Sequence, residues 1–120
     1  SLHYPNEAIE AALLELAGPG PFERVVDFGT GTGRMLALFA PLAREAEGID
    51  LSHQMLTVAR ANLERAGISD ARVRQGDVTS APFEDASADL VIIHQAGACW
   101  WLILPPMISS FCAPSTVITG

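Results

Sequence analysis

Apolar positions along the chain switch between two periods. Ile9, Leu13 and Leu16 recur at helical spacing between Asn6 and Gly18-Pro19, which predicts a helix over Glu7 to Ala17 with Asn6 as its cap. Arg24 to Phe28 is a short apolar run and predicts a buried strand. The glycine-rich turn Gly29 to Gly33 follows, then a helix from Arg34 to Phe39 closed by Pro41. Ala46 to Asp50 predicts a second strand. Ser52 then caps a helix through Ala66, with Met55, Ala59, Leu63 and Ala66 on one side and Gly67 just past its end. Ala71 to Gln75 and Ala88 to His94 predict a third and a fourth strand. Strands alternating with helices imply βαβ units around a parallel sheet, an α/β fold. In such sheets ligands bind beyond the carboxyl ends of the strands.

Polar residues sit at those ends. Asp27 closes the first strand, Asp50 the second, Asp77 follows the third, and His94-Gln95 ends the fourth. The first tip reads Asp27-Phe28-Gly29-Thr30-Gly31-Thr32-Gly33. Its spacing is GxGxG, whereas a nicotinamide dinucleotide fingerprint is GxGxxG and would need glycine at Arg34. The acid before the turn would repel a pyrophosphate and attract a cation. S-adenosyl-L-methionine, with a sulfonium and an ammonium group, suits Asp27. The bland reading of the same turn is a tight strand-to-helix connection with no ligand.

Asp50 lies 21 positions after Gly29, close to the ~20-residue spacing of a ribose-binding acid. Leu51 would offer apolar surface to an adenine. Alone, Asp50 reads equally as a solvated turn residue and Ser52 as an ordinary cap. Asp77 can accept from an adenine amino group and the Val78 N–H can donate to a ring nitrogen; the plain alternative is an Asp turn. His94 is a candidate contact to the methionine moiety, or a catalytic base, against the bland reading of a hydrogen-bonded loop residue. Cys99 and Cys112 match no metal spacing, and His3 and His53 have no ligand partners, so no metal is expected.

Composition narrows the classes. One domain is expected of 120 residues. Fourteen acidic residues face seven arginines and no lysine, a formal net charge of −7. That balance disfavours nucleic acid or an anionic membrane as the main partner. Ser1 to Gly20 has no basic region and its apolar residues are interrupted by Glu7, Glu10 and Glu15, so no signal peptide is read and a cytoplasmic location is expected.

Together, Val25 to Gly33, Gly48-Ile49-Asp50-Leu51-Ser52, Gln75-Gly76-Asp77 and Asp89 to Gln95 resemble class I S-adenosylmethionine-dependent methyltransferases. The phrase from Ala11 through Met35, with His94-Gln95, is most similar to bacterial methyltransferases fused behind a winged-helix regulator of the arsenical-repressor type. The resemblance implies a Rossmann-like doubly wound parallel sheet and direct methyl transfer to a small-molecule acceptor. It implies a cofactor site of four parts. The turn supplies Asp27, Phe28, Gly29, Thr30, Gly31 and Gly33. The second tip supplies Asp50 and Leu51 with Met55, the third Gly76, Asp77 and Val78, and the fourth His94 and Gln95. A nicotinamide-dependent oxidoreductase and a non-catalytic interaction module are the rival classes. NADH binding would mark the first, a cooperative melt without ligand binding the second.

The pattern breaks after Gln95. No charged residue occurs from Leu90 to Gly120, and both cysteines and both tryptophans fall there. Where the family continues with a helix and a fifth strand ending in an acid, residues 96–120 are apolar and uncharged. Read from the third base of the Gly97 codon, plausible codons give an apolar stretch ending in an acid, and Trp100-Trp101 after Cys99 must read Leu-Val. The expectation is a methyltransferase half-domain over 1–95, truncated after the fourth strand, with an out-of-frame tail over 96–120. Because the chain opens with Ser1 rather than Met, it is also expected to be a piece of a longer protein. The rival expectation is a native tail in which Trp100 to Leu104 forms a short extra strand or a partner-binding patch.

Overall fold

The computed structural model describes residues 6–77, 88–94, 100–103 and 118–119. Within them the chain runs α1 (Asn6–Ala17), β1 (Phe22–Phe28), α2 (Arg34–Phe39), a 3₁₀ turn (Ala40–Leu42), β2 (Ala43–Asp50), α3 (His53–Arg65), β3 (Ala71–Gln75), β4 (Leu90–His94), β5 (Trp100–Ile103) and β6 (Ile118–Thr119). The sheet order is β3-β2-β1-β4-β5-β6. The first four strands are parallel, and β5 and β6 join antiparallel. β2 leaves β1 on one side and β4 joins it on the other. The sheet therefore has its topological switch point beside β1, where ligands of open α/β sheets bind.

Alternation along β1 sorts the core. Val25 and Asp27 face one side, Val26 and Phe28 the other. On the first side Val25, Leu90 and Ile92 pack against Leu13 of α1 and against Met35 and Phe39 of α2. Leu36 of α2 and Leu63 of α3 close over Ala46 on the same side. The other side carries Val26, Phe28, Ile49 and Val91 with Ala88. The described helices thus cover one face of the sheet.

Two helix faces differ from the expected ones. In α3 the buried residues are Leu56, Ala59 and Leu63; Met55 and Ala66 are exposed. In α1 Leu13 is buried while Leu16 is exposed, and the helix begins at Asn6 itself rather than after it. Both shifts have one cause. Several apolar residues offered alternative stripes, and packing against β1 and β2 chose between them. β1 and β2 also start earlier than expected, at Phe22 and Ala43. β4 starts later, at Leu90, because Asp89 turns its carboxylate onto β1 and accepts from the N–H groups of Glu23 (2.7 Å) and Arg24 (2.6 Å).

The edge of β4 is paired, unlike in a sheet ending at the fourth strand. Ile93 stands opposite Trp101 and His94 opposite Trp100. Only residues 95–99 join the two strands. A connection that short reverses the chain, whereas a parallel crossover needs a dozen residues or more. This segment therefore pairs antiparallel, where the resemblance implied a fifth strand entered through a helix. No helix among the described residues is long and apolar enough to cross a membrane.

Candidate cofactor site

The parallel register brings the strand tips to one rim. Phe28 is in register with Ile49 and with Ile93, and Asp50 with Gln75. The glycine turn rises between them. Gly29, Gly31 and Gly33 all have positive φ, so the backbone doubles back over the end of β1. Gly33 is tightest: φ is +80° and an added Cβ would lie 3.1 Å from the Ala59 Cβ of α3, so a side chain there would push helix and turn apart. The turn is fastened to β2 by the Gly29 and Thr30 N–H groups, which donate to the Ile49 carbonyl at 2.8 and 2.9 Å.

Asp50 organises the second tip. Its Oδ2 accepts from the Gly31 N–H and its Oδ1 from the Ser52 N–H, each at 2.8 Å. Each carboxylate oxygen keeps a further lone pair for a ribose hydroxyl. Gln75 Nε2 donates to the Leu51 carbonyl at 2.9 Å and the Gly76 N–H to the Asp50 carbonyl at 3.1 Å. The turn after β2 is therefore clamped by β3. Ser52 caps α3 as expected, accepting from the Met55 N–H. Leu51, next to Asp50 in the chain, and Met55 in the first turn of α3 are 56% and 43% exposed. Asp77 is exposed at the end of the third tip.

Asp27 departs from the expectation. It does not line the rim but lies beneath the turn, fully buried. Alternation is the reason: Asp27 shares the face of Val25, which α2 covers. Its Oδ2 accepts from the Thr30 hydroxyl at 2.8 Å, and its Oδ1 is buried without a hydrogen-bond partner. Burial pushes its carboxyl up from 3.8 to about 7, opposed by the Thr30 hydroxyl, reinforced by the nearby Asp50 charge and opposed again by the Leu36 N–H. Thr30 too is turned inward rather than towards a ligand. Its exposure is 6%.

His94 ends β4 at the same rim, in register with Trp100. Val78 and Gln95 lie outside the described residues. Gly48 and Asp89 belong to the sequence motifs, but the motifs give neither a role of its own. Gly48 stands opposite Asp27, and a Cβ there would come within 2.7 Å of the Thr30 Oγ1 and 2.8 Å of the Leu36 Cδ2. Its value appears only once strand register is known. A mixed-charge cleft of about 310 Å³, with Arg24, Arg44, Glu47 and Arg72 in its wall, lies away from the strand tips and takes no part in this site.

A parallel sheet, a glycine turn after β1 and an acid at the tip of β2 define a nucleotide-type α/β binding domain. Comparison with known proteins makes the class specific. Residues 25–111 match the model of the methyltransferase domain family, and the chain belongs to that family. It is 34% identical over 73 residues to the uncharacterized methyltransferase YcgJ of Bacillus subtilis, covering 61% of this chain and 29% of that protein. The crystal structure of YcgJ superposes with a TM-score of 0.68 at 29% identity, over 75% of this chain and 38% of that one. An RNA methyltransferase from Salinibacter ruber, solved in complex with S-adenosyl-L-homocysteine, gives 0.65 at 26% identity, over 78% and 61% of the two chains. The chain thus spans less than half the length of YcgJ.

Proposed function

We propose that this chain carries the S-adenosylmethionine-binding half of a methyltransferase that acts on a small-molecule acceptor. One observation carries the reading. Asp27 and Asp50 are neighbouring carboxylates at the switch point, and among the described residues neither forms an ion pair with an arginine. Their hydrogen-bond donors are the Thr30 hydroxyl and the Gly31 and Ser52 N–H groups. Two adjacent carboxyl groups with no arginine ion-paired to either are a poor place for a pyrophosphate and a good one for a sulfonium.

When bound, S-adenosylmethionine supplies an electrophilic methyl group on sulfur. In this reading Asp50 accepts from the ribose hydroxyls, and Leu51 and Met55 cover the adenine. Asp77, next to Gly76 at the end of β3, accepts from the adenine amino group, and the Val78 N–H is the candidate donor to a ring nitrogen. The backbone of Phe28, Gly29, Gly31 and Gly33 lets the methionine portion approach closely. Asp27 acts from below through its charge. His94, the last residue of β4, is the candidate base, and Gln95, which follows it in the chain, the candidate second contact to the methionine portion. Catalysis would rest on positioning and exclusion of water, with a base needed only where the acceptor must lose a proton.

The net charge of −7 favours a small acceptor over a nucleic acid, although one structural relative is an RNA methyltransferase. The finer likeness, to methyltransferases fused behind an arsenical-repressor-type regulator, belongs to the same proposal, as does the division of the chain after residue 95 with an out-of-frame tail. The DNA sequence around the Ala96 codon tests that division: an intact frame whose codons forbid the shifted reading contradicts it. The binding reading is tested by calorimetric titration of the purified chain with S-adenosylmethionine and, separately, NADH. Saturable binding of the first alone is expected; NADH binding of equal strength would overturn it.

A further inference from the structure

All three polar groups of Thr30 are turned into the protein. Its hydroxyl donates to Asp27 Oδ2 at 2.8 Å, its N–H donates to the Ile49 carbonyl at 2.9 Å, and its carbonyl accepts from the Gly33 N–H at 2.8 Å. The hydroxyl fits because residue 48, directly across from Asp27, is glycine. Any Cβ at Gly48 would sit 2.7 Å from the Thr30 Oγ1. Asp27, Thr30 and Gly48 therefore form one packed unit under the turn, with the second Asp27 oxygen unpartnered.

We infer that Thr30 is a positioning residue for the cofactor: its hydroxyl, seated in the space that Gly48 leaves, fixes the Asp27 carboxylate beneath the glycine turn, so that affinity for a cationic donor is linked to the protonation of Asp27. This rests on the S-adenosylmethionine reading above.

The groups around Asp27 make the linkage direct. β2 contributes Asp50, which opposes ionisation. α2 contributes the Leu36 N–H, which favours it. Arg34, the first residue of α2, is ion-paired with Glu10 of α1. β4 places uncharged Ile92 in register with Asp27 and ends two residues later at His94. A hydroxyl donor stabilises the carboxylate more than the acid. Removing it raises the midpoint of Asp27, and a cation held over the turn must then compete with a proton over more of the neutral range. The effect acts through the field of a buried charge, since Asp27 has no exposed surface.

The test follows Asp27 by carboxyl-carbon NMR in the full chain, beside calorimetric affinities for S-adenosylmethionine at pH 6 and pH 8. With a midpoint of about 7, wild-type affinity is expected to be about tenfold weaker at pH 6 than at pH 8. Thr30→Val is expected to raise the Asp27 midpoint by about one pH unit and move the affinity profile with it. Thr30→Ser, which keeps the hydroxyl, is expected to restore both. An Asp27 midpoint unchanged in Thr30→Val overturns the inference. Equal wild-type affinity at the two pH values overturns the linkage and leaves the cofactor reading standing. No binding at either pH overturns that reading and the linkage with it. Should Thr30→Val fail to fold, Asp27→Asn decides: affinity independent of pH is expected, and a retained tenfold dependence contradicts the inference.

Discussion

Asp50 and Asp89 use the same local device at opposite ends of the sheet. Each carboxylate accepts from two backbone N–H groups, Gly31 and Ser52 for Asp50, Glu23 and Arg24 for Asp89. Their surroundings differ in sign. Asp89 sits beside Arg24, whose guanidinium binds Glu47 at 2.9 Å. Asp50 sits beside Asp27, another carboxylate. At one end the charges are balanced and hold strands together. At the other, negative charge is concentrated above a buried acid. The hydrogen-bond pattern alone would assign both residues to structure. What separates them is that Asp50 has a second carboxylate, Asp27, beside it, and the proposed cofactor role of Asp50 rests on that difference.

The largest expected effect concerns stability and pH. The Asp27 carboxyl is raised from 3.8 to about 7, so between those values the folded chain binds a proton that the unfolded chain has released. Stability due to Asp27 is therefore full below about pH 4, falls as pH rises, and is lost above about 7. The raised pKa corresponds to about 4 kcal/mol. Denaturant melts of wild type and Asp27→Asn at pH 4 and pH 8 measure it: the variant should gain on wild type as pH rises. A difference that does not change with pH would remove the buried acid from the account.

The second test separates the paired acids. Asp50→Ala and Asp89→Ala each remove two N–H acceptors, which should destabilise the fold by about 1–3 kcal/mol in either case. Only Asp50→Ala should also weaken S-adenosylmethionine binding, by roughly 100-fold, which corresponds to about 3 kcal/mol. Asp89→Ala should leave the affinity of the folded fraction within about twofold, since a free-energy change of that size is well under 1 kcal/mol. Equal losses of affinity in the two variants would erase the distinction between the ends. The smallest expected effect is that of Gly48→Ala. Its added Cβ meets the Thr30 and Leu36 side chains, and such overpacking costs about 1–3 kcal/mol. The midpoint of denaturant unfolding reports it, and an unchanged midpoint would mean that the cradle around Asp27 is looser than described.

These comparisons also show what could be read without coordinates. α2 and β3 fall within their expected limits because glycine, proline and turn residues bound them on both sides. The glycine turn and the acid at the tip of β2 were legible because their spacing is local. Asp27 is legible as an acid next to the turn from its position in the chain, while its burial under α2 follows from the alternation of β1. Thr30 lies in the turn beyond β1, and its inward hydroxyl depends on the Asp27 carboxylate and on the space at Gly48, neither of which its own segment reveals. The roles of Gly48 and Asp89 depend on which residues stand opposite in neighbouring strands, and register is not carried by any one segment. The helix faces of α1 and α3 were ambiguous because more than one apolar stripe was available, and only packing on the sheet selected between them.

The sharpest trial of the charge argument compares two adenosine ligands of opposite sign at pH 8. Equilibrium dialysis of the intact chain against S-adenosylmethionine and against adenosine monophosphate compares a cationic with an anionic group joined to the same ribose. The cationic ligand should bind at least tenfold more tightly, a difference of about 1.4 kcal/mol. Equal or tighter binding of the phosphate would show that the rim does not select positive charge.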